Sequence, residues 1–123
     1  MGQRAMISVV DDDESVRESL PDLLETLGFA ARSFDCAQAF LASDALSDTR
    51  CLILDVSMPE MSGPELHDEL GRRRVNVPVI FITGQCDRNV RAQALARGAV
   101  DCLFKPFSEE DLRSALESAL GKA

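Results

Sequence analysis

The residues of this chain whose types could do chemistry are a few acids, one threonine and one lysine, and each stands at the end of an apolar run. ISVV leads into Asp11, Asp12 and Asp13, LIL into Asp55, VIFI into Thr83 and CLF into Lys105. Grouped carboxylates suit a hard divalent ion, which takes oxygen ligands in near-octahedral geometry and keeps several waters. A carboxylate beside such an ion can also serve as a nucleophile toward phosphorus, since phosphoryl transfer asks mainly for positioning and for positive groups around three equatorial oxygens. Asp12 and Asp55 are the expected direct ligands and Asp55 the expected nucleophile. Thr83 and Lys105 are expected to meet the phosphoryl oxygens. The crowded acids repel one another until a cation arrives.

Taken singly, each of these residues has a plainer reading. Asp11 to Asp13 could be a solvated run that caps a helix, and Asp13 is read that way. Thr83 could be a β-branched strand end, and Lys105 a surface lysine before a turn. His67, beside Asp68 and Glu69, is expected to be exposed and has no second ligand near it in sequence. Met58 and Met61 are read as packing residues at a turn. The chemical reading therefore depends on whether the fold gathers the four strand ends.

The elements follow from apolar periodicity and caps. Met6 to Val10 is a short, β-branched run with the length of a buried strand. From Glu14, Val16, Leu20, Leu23, Leu24 and Leu27 recur at helical spacing up to Gly28, with Pro21 expected to kink or restart the helix. Residues 29–34 read as an edge strand, and Asp35 as the cap of a helix through about Ala45, followed by a polar connection over 44–50. Residues 51–56 form the strand that carries Asp55. Ser62 and Glu65 make a capping box with Pro64 in the first turn, opening a helix that ends at 72–74. Residues 78–83 are a fourth strand, Asp87 or a neighbour opens a helix that Gly98 closes, and 100–104 are a fifth strand. Ser108, with Asp111, caps a last helix bearing Leu112, Ala115, Leu116, Ala119 and Leu120. Five alternating strands and helices predict an α/β domain with a parallel sheet, right-handed crossovers and helices on both faces. Ligands of such sheets bind beyond the carboxyl ends of the strands, near the topological switch point.

At 123 residues, 46% of them hydrophobic, the chain is sized for one domain spanning 1–123. A net charge of -8 argues against direct binding of nucleic acid, whose affinity comes from Lys and Arg. The N-terminal apolar stretch is short and runs into acids, so neither a secretion signal nor a membrane span is expected, and a cytoplasmic location is. Cys36, Cys51, Cys86 and Cys102 lack metal-site spacing and read as reduced, mostly packed thiols.

The acidic pair Asp11 and Asp12, the D-x-x-M-P of residues 55–59, Thr83-Gly84 and Lys105-Pro106 together resemble the receiver domain of bacterial two-component response regulators, over essentially the whole chain. The wording is most similar to the subgroup that precedes helix-turn-helix output domains. The resemblance implies a flavodoxin-like, doubly wound, five-stranded parallel sheet in the order 2-1-3-4-5 with five helices. It implies Mg2+, or Mn2+, held by Asp12, Asp55 and the carbonyl of Ser57, with Asp11 acting mainly through water. It also implies transfer from the phosphohistidine of a sensor histidine kinase to Asp55, and a domain that phosphorylates and dephosphorylates itself rather than a turnover enzyme. Hydrolysis is expected to pass Ser57 and Gln85, and the Lys105-Pro106 bond is expected to be cis.

Further partners follow on the same basis: a C-terminal DNA-binding output domain outside this chain, and a phosphorylation-dependent homodimer. The dimer is expected to form through the fourth helix, with Arg88, Arg91 and Arg97, the fifth strand, and the fifth helix with Glu109, Glu110 and Asp111. One departure stands at Cys102, where the family usually carries a Tyr or Phe that swings inward as Thr83 moves. Two rivals fit less well. Haloacid-dehalogenase-type phosphatases place a second acid two residues past the nucleophile, where this chain has Ser57. A phosphorylation-independent pseudo-receiver would not need the intact set of five residues.

Overall fold

The structure, a computed structural model, describes residues 4–84 and 88–121. Gln85, Cys86 and Asp87, together with the expectations attached to them, lie outside the described residues. The elements are β1 (Met6–Val10), α1 (Glu14–Thr26), β2 (Ala30–Phe34), α2 (Ala37–Leu41), α3 (Ala45–Asp48), β3 (Cys51–Asp55), α4 (Gly63–Arg72), β4 (Val79–Thr83), α5 (Arg88–Ala96), β5 (Asp101–Phe104) and α6 (Glu109–Leu120). All strand pairs are parallel and the order is β2-β1-β3-β4-β5, the flavodoxin-like arrangement expected.

The unbroken apolar runs of β3 and β4 are explained by their central place, where every residue is buried. Successive side chains alternate between two cores. Leu52 and Leu54 join Val10, Phe81, Phe40, Leu66 and Ala94 on one face. Cys51 and Ile53 join Ile7, Val9, Leu24, Leu112 and Leu116 on the other, beneath α1 and α6. Edge strand β2 is half-buried to exposed, in keeping with its less apolar sequence. No helix among the described residues is long and apolar enough to cross a membrane.

Most caps are where the sequence puts them. Asp13 accepts from the Ser15 N–H, Ser62 and Glu65 form a reciprocal capping box, and Ser108 accepts from the Asp111 N–H. Three expectations are corrected. The helix expected through about Ala45 stops at Leu41, and a second short helix, α3, stands in the stretch over 44–50 expected to be a polar connection, making six among the described residues. The Ser43 hydroxyl donates to the Phe40 carbonyl (2.8 Å) and accepts from the Ala45 N–H (3.2 Å), ending α2 and bringing the chain into α3. Asp35 is not the cap of α2, because extended Cys36 holds that position without a side-chain hydrogen bond. Of the kink or restart expected at Pro21, the restart does not occur: α1 continues to Thr26, and Gly28, at φ 100°, follows its end.

On the far side of the sheet, α5 is fastened to β5 by Arg91, whose Nη1 lies 2.9 Å from the Asp101 carboxylate and donates to the Cys102 carbonyl at 2.8 Å. Arg97 makes a two-pronged contact with Asp68 of α4, 2.9 Å to each oxygen. Both arginines, expected to face a partner copy, are thus paired within the chain.

α4 begins close against the end of β3. The Gly63 N–H donates to the Val56 carbonyl at 3.1 Å, and a Cβ at Gly63 would run into the Asp55 carbonyl oxygen and press on the Phe81 ring. Gly63→Ala is therefore expected to destabilise the domain by about 1–3 kcal/mol. A lower urea midpoint at unchanged slope would show it.

Candidate functional site

Parallel register decides which strand ends meet. Val10 pairs with Leu54, so Asp11 and Asp55, each one residue further on, leave adjacent strands side by side. Asp55 pairs with Ile82, which puts Thr83 one step beyond it, and Thr83 pairs with Phe104, which puts Lys105 next. Backbone bonds continue past the strands: Val56 N–H to the Ile82 carbonyl at 2.9 Å and Lys105 N–H to the Thr83 carbonyl at 2.7 Å. The chain leaves β1 for β2 on one side and returns to β3 on the other, so the acids lie at the switch point of the sheet.

The carboxylate oxygens of Asp11, Asp12 and Asp55 all lie within 4.8 Å of one another. Asp11 is fully buried, Asp55 is 6% exposed and Asp12 opens to solvent. The Lys105 ammonium donates to Asp11 Oδ2 at 2.9 Å and stands 3.7 Å from Asp55 Oδ1. Burial is the main force on Asp55, followed by the charge of Asp11, and hydrogen bonding with Asp11 and Asp12 adds to both. Lys105 opposes them, yet the carboxyl is pushed up to about 7. Burial works against the Lys105 ammonium, but its hydrogen bond to Asp11 and the charges of Asp11, Asp55 and Asp13 outweigh that and raise its pKa.

Three hard oxygen donors of this kind fit a hard divalent cation, whose charge would offset both the burial of Asp55 and the repulsion from Asp11. Thr83 is buried at the end of β4, and Ser57 is exposed two residues past Asp55. The Lys105-Pro106 bond is cis, as expected. Met58 and Met61 pack against the core, as read from the sequence. Cys36, Cys51 and Cys102 are free thiols; Cys51 and Cys102 are buried, and burial pushes Cys51 up to about 12.

His67 corrects another expectation. It is half-buried, with its ring edge-on to Phe81 at 5.6 Å and its Nδ1 buried without a hydrogen-bond partner among the described residues. Burial lowers its pKa. The helical position of His67 gave no sign of this, because the face it shares with Phe81 exists only once α4 lies on the sheet.

Two residues that support the site were not singled out from the sequence. Gly63 permits α4 to lie against Asp55, and its place one residue after a cap was the available signal. Arg17 donates to the Asp11 carbonyl at 3.0 Å across six residues, and nothing local marks that contact.

Because the folded-state value of Asp55 lies above its unfolded value of 3.8, the native protein binds more protons than the unfolded chain between about 4 and about 7. Stability then falls as pH rises through that window. Asp55→Asn removes this loss, so without divalent cations its melting temperature should exceed that of the wild type by a margin that grows from pH 4 to pH 7. A margin independent of pH would contradict the assigned environment of Asp55.

The family of response regulator receiver domains matches residues 7–117. The response regulator protein TmoT of Ectopseudomonas mendocina is 42% identical over 118 residues, which cover 96% of this chain and 54% of that protein. The transcriptional regulatory protein FixJ of Azorhizobium caulinodans is 39% identical over 123 residues, 100% of this chain and 58% of that one. A crystal structure of FixJ-N is similar at a TM-score of 0.85 and 40% identity, covering 97% of this chain and 95% of the other. The chain spans about half the length of the curated relatives it matches. Sequence and architecture agree along nearly its whole length, and the chain belongs to the receiver domains of response regulators.

Proposed function

We propose that residues 1–123 form one receiver domain that accepts a phosphoryl group on Asp55 from the phosphohistidine of a sensor histidine kinase, with Mg2+ or Mn2+ required. The observation that carries this is the meeting of three carboxylates within 4.8 Å with an ammonium 2.9 Å from one and 3.7 Å from another. Asp12 and Asp55 would hold the ion directly, with the Ser57 carbonyl as a third protein ligand and Asp11 acting through water. When bound, the ion supplies Lewis-acid neutralisation of phosphoryl oxygens.

The chain's own residues do the rest. An ionised Asp55 oxygen attacks phosphorus, forming the acyl phosphate as the bond from phosphorus to the histidine nitrogen breaks and that nitrogen leaves with the electron pair. Lys105, which already spans Asp11 and Asp55, meets one equatorial oxygen, and the Thr83 hydroxyl meets another. Attack by water in line on phosphorus, past Ser57, then breaks the bond from phosphorus to the Asp55 oxygen, releasing inorganic phosphate and returning the free carboxylate. The domain thus handles its own phosphoryl group and is not a turnover enzyme.

The added charge, roughly -1.5 to -2, is accommodated by closure of Thr83 and Lys105, which shifts the start of α5. The same reading has α5, β5 and α6 form the switching surface and a phosphorylation-dependent homodimer. Because Arg91 and Arg97 are paired within the chain, rearranged packing rather than those charges must drive association. Several of the relatives are named as transcriptional regulatory proteins. On that basis the domain controls, from the cytoplasm, a DNA-binding output domain C-terminal to it, while the domain itself does not touch DNA.

Intact-mass analysis after incubation with acetyl phosphate and Mg2+ should show one labile phosphoryl group on the wild type and none on Asp55→Asn. Labelling of the variant at another residue would refute Asp55 as acceptor. In calorimetry Asp12→Ala should weaken Mg2+ more than Asp13→Ala, since Asp13 is occupied capping α1. A bulky residue at Ser57 should change phosphoryl lifetime while Mg2+ binding persists. Light scattering should show association only with the phosphodonor present.

A further inference from the structure

We propose that Arg17 is a positioning residue of the metal site, acting on Asp12 through the peptide that joins it to Asp11; the inference rests on the proposed Mg2+ dependence. Asp11 is held on every polar group it has. Its N–H donates to the Phe34 carbonyl at 3.1 Å, its Oδ1 accepts from the Asp13 N–H at 2.9 Å, and its Oδ2 accepts from Lys105 at 2.9 Å. The remaining group, its carbonyl, accepts from Arg17 Nη1 at 3.0 Å.

That carbonyl belongs to the peptide leading into Asp12. Asp12 itself is exposed and faces Asp55 at the mouth of the site, so the orientation of this peptide fixes where its carboxylate stands. Arg17 is well placed for the task. Its own N–H donates to the Asp13 carbonyl at 3.1 Å in the first turn of α1, which anchors its backbone while the side chain reaches back over the turn. A planar guanidinium, always charged, gives a directional donor that neither pH nor the state of the acids removes.

The consequence is specific to the size of the ion. Mg2+ demands short bonds in near-ideal octahedral geometry, whereas Ca2+ accepts longer bonds and irregular arrangements. A loosened Asp12 should therefore cost Mg2+ affinity more than Ca2+ affinity. Removing partners that orient metal ligands weakens binding roughly 10- to 100-fold.

The test is calorimetric titration of wild type, Arg17→Met and Arg17→Lys with Mg2+ and, separately, Ca2+, with melting temperatures recorded to show that each variant folds. Arg17→Met should bind Mg2+ about tenfold more weakly, with a smaller loss for Ca2+, so that the preference between the two ions shifts toward Ca2+. Arg17→Lys should shift it in the same direction by less, and it decides the matter if the Met variant does not fold. Unchanged Mg2+ affinity, or equal weakening for both ions, overturns the positioning role while leaving the phosphoacceptor reading intact. Failure of the wild type to bind Mg2+ overturns that reading itself.

Discussion

The constraint on which this domain turns is the mutual repulsion of Asp11, Asp12 and Asp55. Oxygens within 4.8 Å, two of the three side chains withdrawn from water, cannot all carry charge without compensation. Lys105 supplies part of it, more to Asp11 at 2.9 Å than to Asp55 at 3.7 Å. Asp55, less well compensated, is the group whose proton affinity rises. Asp55, whose burial and neighbouring charge raise its proton affinity, is also the residue proposed to take the phosphoryl group.

Such a site needs rigid support, and the fold provides it by burying the strands beneath the acids and engaging every polar group of Asp11. β3 and β4 are buried along their whole length, fixing the stems of Asp55 and Thr83. Asp11 is bound through its N–H, carbonyl and both carboxylate oxygens. α4 comes near enough to the Asp55 backbone that only a glycine fits at its first residue. Asp11 and Asp55 cannot relax apart because they leave adjacent, paired strands of the packed sheet.

The opposite edge of the sheet is fastened differently. Cys102, fully buried, fills with a small side chain the position where an aromatic residue is usual in the family. The backbone there is capped by side chains: Arg91 binds the Cys102 carbonyl, and Asp101 accepts from the Cys102 N–H at 2.7 Å. These contacts occupy polar groups that a sheet's edge strand would otherwise present to solvent or to another chain. The movement of α5 proposed to follow phosphorylation would have to be accommodated by this clamp rather than by the rotation of a ring.

The sequence by itself determined the alternation of strands and helices, the ends of most elements and the five residues gathered at the sheet edge. Periods of two and of about 3.6, and caps such as Ser62–Glu65, are written within a few residues of one another and act locally. It did not determine the break between α2 and α3, which hangs on one hydroxyl of Ser43, or the burial of His67 against Phe81. Nor did it disclose that Arg91 and Arg97 are paired within the chain, or that Arg17 holds the Asp11 carbonyl. A long charged side chain has many acids within its sequence reach and chooses by distance in space. That distance is set only when parallel strands adopt one register and helices settle on a particular face.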